Sequence, residues 1–125
     1  MIERSVPLRW RDFDAQGHVN HAVYLTLLEI GRDALFAEVF GTPEYVVARV
    51  EIDYQGEITQ DFSEVTVQVA VDTVGTTSLT TRESIVLPDG SPAAKARVVS
   101  VLWNPVEHSS LAISETQRAR LTSNR

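Results

Sequence analysis

Between an extended N-terminal run and the one long apolar helix of the sequence lies Arg11-Asp12-Phe13-Asp14-Ala15-Gln16-Gly17-His18-Val19-Asn20-His21. The side chains of Asp14 and Asn20 can each cap a helix start, and Gly17 admits backbone angles that other residues resist. The stretch therefore reads as a loop that brings a carboxylate and two imidazoles to a helix N-terminus. Unpaired N–H groups there carry partial positive charge and can hold a developing oxyanion. A carboxylate beside such an end is the equipment of acyl-transfer hydrolysis.

Other chemistries fit less well. His18 and His21, spaced i,i+3 with Asp14 nearby, could offer a metal two nitrogens and a carboxylate. Zinc wants further ligands, however, and His108 is the only other histidine, so no metal is expected. Asp12-Phe13-Asp14 matches the short D-x-D of metal-dependent glycosyl transfer, a pattern of little specificity in a chain too small for such an enzyme. The absence of cysteine excludes disulfides, thiolate catalysis and thiolate-ligated zinc.

The elements that must position this loop are legible in the hydropathy pattern. Val6-Pro7-Leu8-Arg9-Trp10 reads as a short strand, Pro7 suiting an edge or a strand start. From His21 to Phe40 a helix is apolar over most of its circumference, and Gly41-Thr42-Pro43 stops it. A helix apolar nearly all round is expected to be enclosed. Thr26, Glu29 and Asp33 form its narrow polar stripe, and Arg32 can pair with Glu29 at i,i+3.

After Pro43 the pattern has period two. Val46, Ala48, Val50, Ile52 and Tyr54 alternate with Val47, Arg49, Glu51 and Asp53. Val65, Val67, Val69 and Val71 form one face of a half-buried strand that Gly75 breaks. Thr77, Leu79, Thr81, Glu83, Ile85 and Leu87 form another face, ended by the turn Pro88-Asp89-Gly90-Ser91. Ala93 to Trp103 is apolar enough on both faces to be central. The order strand, long helix, four strands predicts the α+β class, with an antiparallel sheet wrapped on one helix. Ser114-Glu115-Thr116-Gln117 opens with a capping-box pattern and predicts a short helical tail over about 113–125.

The 125 residues suit one domain, 1–125, and no internal repeat or linker is visible. A composition 43% hydrophobic and 22% charged is that of a soluble globular protein, and no apolar run reaches the roughly 20 residues of a membrane span. Met1-Ile2-Glu3-Arg4-Ser5 lacks the basic start and apolar stretch of a secretory signal, so a cytoplasmic location is expected. A formal charge of −6, from 17 acidic and 11 basic side chains, opposes attraction to nucleic acid or anionic membranes. An anionic ligand would need local cations.

Asp12-Phe13-Asp14-Ala15-Gln16-Gly17-His18-Val19-Asn20-His21-Ala22-Val23-Tyr24, followed by Glu29 and Arg32, resembles the signature of hotdog-fold thioesterases. The likeness is to the 4-hydroxybenzoyl-CoA thioesterase type and its acyl-CoA relatives. It implies a hotdog fold of about five antiparallel strands around the long helix. In that family the second aspartate of the D-x-D pair is the catalytic carboxylate, which maps onto Asp14 and leaves Asp12 outside the active centre. The backbone N–H seven residues later polarises the thioester carbonyl, which maps onto His21. The common motif reads G-H-V-N-N; His21 stands at the second asparagine, where the implied role is a backbone N–H that any residue supplies. Glu29 and Arg32 keep the family's E-x-x-R spacing.

The resemblance thus implies hydrolysis of an acyl-CoA or acyl-carrier thioester to acid and thiol, with Asp14 as nucleophile or general base. Gln16, His18 and Asn20 would hold the loop and a water, and Asn20 and Tyr24 would meet the substrate. Ser78 stands where relatives carry a hydroxyl near the site, its plain reading being a cross-strand hydrogen bond. Arg82, Lys95 and Arg97 are the candidates for the CoA phosphates, each otherwise a solvated strand residue. No cofactor is implied beyond CoA as part of the substrate. Relatives place their sites between subunits, which implies a homodimer or a tetramer of dimers. The rival readings are a hotdog domain that binds acyl thioesters without turnover and an enoyl-thioester hydratase or dehydratase.

Overall fold

The structure, a computed structural model, describes all 125 residues. The elements in chain order are β1 (Ile2–Pro7), a 3₁₀ turn (Trp10–Asp12), α1 (His21–Phe40), β2 (Tyr45–Tyr54), β3 (Glu64–Val74), β4 (Ser78–Val86), β5 (Pro92–Asn104), β6 (Ser109–Ser110) and α2 (Glu115–Thr122). The five long strands pair antiparallel in the order β1-β3-β4-β5-β2, with β6 attached to β5. One long helix lies on one face of this sheet, which is the expected α+β hotdog. None of the helices is long and apolar enough to cross a membrane.

The alternating valines of β3 (Val65, Val67, Val69, Val71) turn inward with Leu79 and Ile85 of β4 and Ala94, Ala96 and Val98 of β5. Leu27, Leu28, Leu35, Phe36 and Val39 of α1 meet them and complete one core. Gly31 lets the helix approach: a Cβ there would stand 2.6 Å from Val67 Cγ1 and 2.9 Å from Val69 Cγ2. Asn20 caps the start of α1 and Gly41, in the left-handed region, ends it. Ser114 and Gln117 form the expected capping box of α2, whose Leu121 is fully buried.

Four expectations change. The first strand begins at Ile2 and stops at Pro7; Leu8 still donates to the Ser63 carbonyl, but Asp12 accepts from the Arg9 N–H and turns Trp10–Asp12 into a 3₁₀ coil with the Trp10 ring 91% exposed. The phase of β2 reverses within the strand. Val47 is opposite Ser100 and Arg49 opposite Val99, so Ala48 is an extra, bulged residue. Tyr45 and Val47 join Val50, Ile52 and Tyr54 on the inner face, and Val46 moves outside.

The third change concerns enclosure. The helix packs chiefly on β1, β3 and β4 and meets β2 through Tyr45 and Tyr54 near its ends, which leaves the middle of β2 open; Val50 remains 38% and Ile30, on the outer face of α1, 44% exposed. The fourth is the partner of Arg32. Its Nε and Nη2 donate to the two carboxylate oxygens of Glu83, each at 2.8 Å, and Thr81 Oγ1 donates to the same carboxylate at 2.6 Å. Glu29 is exposed and unpaired with Arg32. The helical spacing allowed the local pair, but Arg32 faces the sheet, where a buried charge needs a buried counter-charge.

Burial opposes the charge on Arg32, yet the hydrogen bonds and charge of Glu83 outweigh it and hold the guanidinium above its ordinary pKa. With both partners 3% or less exposed, neither can lose the other cheaply. Arg32→Ala is expected to cost about 3–5 kcal/mol in urea unfolding, because it strands the Glu83 carboxylate in the core. A loss under about 1 kcal/mol, the scale of an exposed pair, would contradict a buried one.

Candidate active site

The stretch ahead of α1 closes on itself as a small hairpin. Phe13 and Val19 form an antiparallel bridge, the Asp14 N–H donates to the His18 carbonyl at 2.8 Å, and the Gly17 N–H donates to the Asp14 carbonyl at 3.0 Å. Gly17 makes the reversal at φ +80°, a conformation that costs a side chain. Asp14 Oδ1 accepts from the N–H groups of Gln16 (2.9 Å) and His18 (3.2 Å). Its Oδ2 has no partner within the chain, and the side chain lies open to solvent. Asp14 therefore caps its own turn, not a helix.

The hairpin is laid against the segment that follows β2. His18 bridges Thr59, and the Val19 N–H donates to the Ile58 carbonyl at 2.9 Å. His18 Nε2 stands 3.6 Å from Glu57 Oε2. At the other end Asp12, 2% exposed, accepts from Arg9 Nη2 at 3.0 Å and anchors the entry to the loop.

At the helix start the accounting of backbone donors is specific. Asn20 Oδ1 accepts from the Ala22 N–H at 2.9 Å, and the Asn20 carbonyl accepts from the Val23 N–H at 2.9 Å. The His21 N–H, the first of the helix, has no partner within the chain. It therefore offers both a free donor and the positive end of the helix dipole.

Beside it runs an open groove of about 400 Å³ lined by Val19, His21, Tyr24, Tyr54, Gly56 and Glu57. Tyr24 is buried, and its hydroxyl donates to the Gly56 carbonyl at 2.8 Å. Burial pushes that hydroxyl above the ordinary phenol range, so it stays a donor and gives the groove a ring, not a free polar group.

Asp14, Gln16 and His18 are thus held in one turn, and Asn20, His21 and Tyr24 stand at the helix start that follows it; His21 and Tyr24 line the groove and Asp14 does not. Ser78 is not among them. It opens β4 opposite Val101, with its carbonyl accepting from the Gly75 N–H, at the sheet end remote from the Tyr54–Ala94 pair beside the groove. Arg82 and Arg97 face each other across β4 and β5 on the surface opposite α1, since Thr81 and Glu83 on either side of Arg82 point inward. Both are bound to Asp72: Arg97 Nη2 lies 2.6 Å from Asp72 Oδ2 and Arg82 Nε 3.8 Å from Oδ1. Lys95 stands on that same face, in a shallow depression with Glu51 and Asp53. A single chain does not bring these cations to the loop.

Tyr54, Gly56 and Glu57 also line the groove, and nothing in the sequence marks them for it. Each reaches the helix start through the fold, Tyr54 by a hydrogen bond to a residue 33 positions earlier. A tyrosine ending a strand predicted nothing of the kind.

The family model of the thioesterase superfamily matches residues 16–94. The chain is similar to a thioesterase from Thermus thermophilus, solved with coenzyme A and zinc, at 31% identity over 98% of this chain and 92% of that one, with a TM-score of 0.86. It is also similar to a predicted thioesterase from Bacillus stearothermophilus, at 27% identity over 98% and 95% of the two chains and a TM-score of 0.87. A thioesterase-superfamily protein from a Jannaschia species shares the fold at 24% identity, over 98% and 81%, with a TM-score of 0.84. No curated protein sequence matches.

The cap at Asn20 is testable by itself. Asn20→Ala frees the Ala22 N–H and is expected to lower stability by about 1 kcal/mol in chemical denaturation, while Asn20→Asp keeps the acceptor and most of the stability. Equal losses in the two variants would show that the hydrogen bond is not what the residue contributes.

Proposed function

Since the chain belongs to the thioesterase superfamily and is a thioester hydrolase, we propose that it cleaves acyl-CoA or acyl-carrier thioesters with Asp14 and the His21 N–H as its reacting centre. The observation that carries this reading is the unpartnered His21 N–H at a capped helix start, with the Asp14 loop folded beside it. The thioester carbonyl oxygen accepts from that N–H, so the charge that grows on the oxygen during attack meets a donor already in place. Asp14 Oδ1 is fixed by two backbone N–H groups and Oδ2 is free. Oδ2 is the atom that attacks the carbonyl carbon to give an acyl anhydride, or that takes the proton of an attacking water. In either course the C–S bond breaks, the thiolate leaves with a proton, and water supplies the oxygen of the acid. Gln16 and His18 hold the turn through their N–H groups, and the groove beside His21 receives the substrate.

The working unit is a homodimer in this reading, alone or paired into a tetramer. Support comes from β2, an edge strand of ten residues (Tyr45–Tyr54) with its outer hydrogen-bonding side unpaired and its inner valines uncovered. Such an edge invites pairing with another strand. The Asp14 side chain, open in the single chain, is then enclosed by the second copy. Light scattering is expected to give at least twice the chain mass; a monomer would contradict the account of the site.

The chemistry is tested by thiol release from a panel of aliphatic and aromatic acyl-CoAs. Wild-type protein is expected to turn over members of the panel, and Asp14→Asn, of the same shape without the charge, to lose about 100-fold or more in kcat. Full activity in a folded Asp14→Asn variant would contradict the assignment. Binding without thiol release in the wild type would contradict hydrolysis of these thioesters.

A further inference from the structure

The peptide unit between His21 and Ala22 is gripped at both ends. Its N–H, on Ala22, donates to Asn20 Oδ1 at 2.9 Å. Its carbonyl, on His21, accepts from the Tyr54 hydroxyl at 3.0 Å. The preceding unit, which carries the free His21 N–H, is held through the Asn20 carbonyl by Val23. First turns of helices fray, and a donor at the very first position is held by nothing of the helix's own. Here the sheet supplies the hold.

Tyr54 does so in company with Tyr24. The Tyr54 hydroxyl reaches from the end of β2 to the first residue of α1, and the Tyr24 hydroxyl reaches back from the first turn of α1 to Gly56, just past β2. The two rings meet edge to face with centroids 5.1 Å apart, and the Tyr54 ring meets the His21 imidazole in the same manner at 6.2 Å. The ties run in opposite senses across one gap, so a shift of the helix start along the sheet stretches one or the other. Tyr54 is 46% exposed in the single chain, and its hydroxyl is spent on the His21 carbonyl.

We infer that Tyr54 is a positioning residue for the thioester cleavage proposed above, on which this inference rests: its hydroxyl, bound to the His21 carbonyl, holds the adjoining His21 N–H where the substrate carbonyl oxygen must lie. The strand provides its own control. Tyr45, the first residue of β2, donates its hydroxyl to Asp33 Oδ1 at 2.6 Å, so it ties the same strand to the same helix at the far end from the loop.

The experiment compares Tyr54→Phe and Tyr45→Phe in steady-state kinetics on an acyl-CoA that the wild type cleaves, and in ¹⁵N relaxation at the His21 amide. Tyr54→Phe is expected to lower kcat about tenfold or more, since misplacement by a fraction of an ångström is costly in a preorganised site. KM should stay within about twofold, and Tyr45→Phe should leave both parameters within about twofold of wild type. The order parameter of the His21 N–H should fall in Tyr54→Phe and not in Tyr45→Phe. Unchanged kcat in Tyr54→Phe, an equal fall in both variants, a loss confined to KM, or an undisturbed His21 amide would each overturn the inference and leave the hydrolase reading standing. A wild type that cleaves no thioester at all would overturn that reading first and this inference with it.

Discussion

An α-helix cannot satisfy its own first N–H groups, and the structure around the motif loop follows from how those donors are shared out. Asn20 takes the Ala22 N–H, its carbonyl takes that of Val23, and the His21 N–H is left over. A donor left free in solvent is ordinary. In the proposed reaction this one, at the positive end of a twenty-residue helix (His21–Phe40), meets the thioester carbonyl. Its usefulness depends on staying in place, which makes the placement of α1 on the sheet a functional matter as much as a structural one.

That placement is set by two contacts at the middle of the helix and two at its start. Gly31 lets the backbone settle on Val67 and Val69, and the next residue, Arg32, reaches the Glu83 carboxylate in the same layer. Buried ion pairs contribute little net stability but penalise any arrangement that separates them, so this pair fixes the register of the helix over β4. At the start, the tyrosine ties to Gly56 and His21 set the remaining freedom. The helix nevertheless covers only part of the sheet. The middle of β2 and the outer face of α1 stay open, the apolar strip beside a free strand edge that the proposed second copy would cover.

Much of this was legible in the sequence because its causes are local. The Asn20 cap, the Gly41 stop, the turn at Asp89-Gly90 and the alternation of β3 and β4 each depend on residues within a few positions of one another. What could not be read has its cause at long range. Arg32 has Glu29 within helical reach, and only the sheet reveals that Glu83 is its partner, 51 residues away. The Ala48 bulge moves Tyr45 and Val47 inward through pairing with β5, which a strict period of two cannot anticipate. Tyr54 meets the helix start through its hydroxyl and its ring, and Ser78 stands at the other end of the sheet, opposite Val101. For Arg82 the alternation with Thr81 and Glu83 already implied a face away from the helix; Arg97 beside it, and Asp72, which binds both, were visible only in the fold.

In the proposed reaction one N–H and one carboxylate flank the thioester carbonyl. The most direct test is a crystal structure of the protein with a non-hydrolysable acyl-CoA analogue in which a ketone replaces the thioester. The account predicts the ketone oxygen about 2.7–3.1 Å from the His21 nitrogen, with the Asp14 carboxylate against the carbonyl carbon. An analogue bound with its carbonyl remote from both groups, for instance on the charged outer face of the sheet around Arg82 and Arg97, would contradict it.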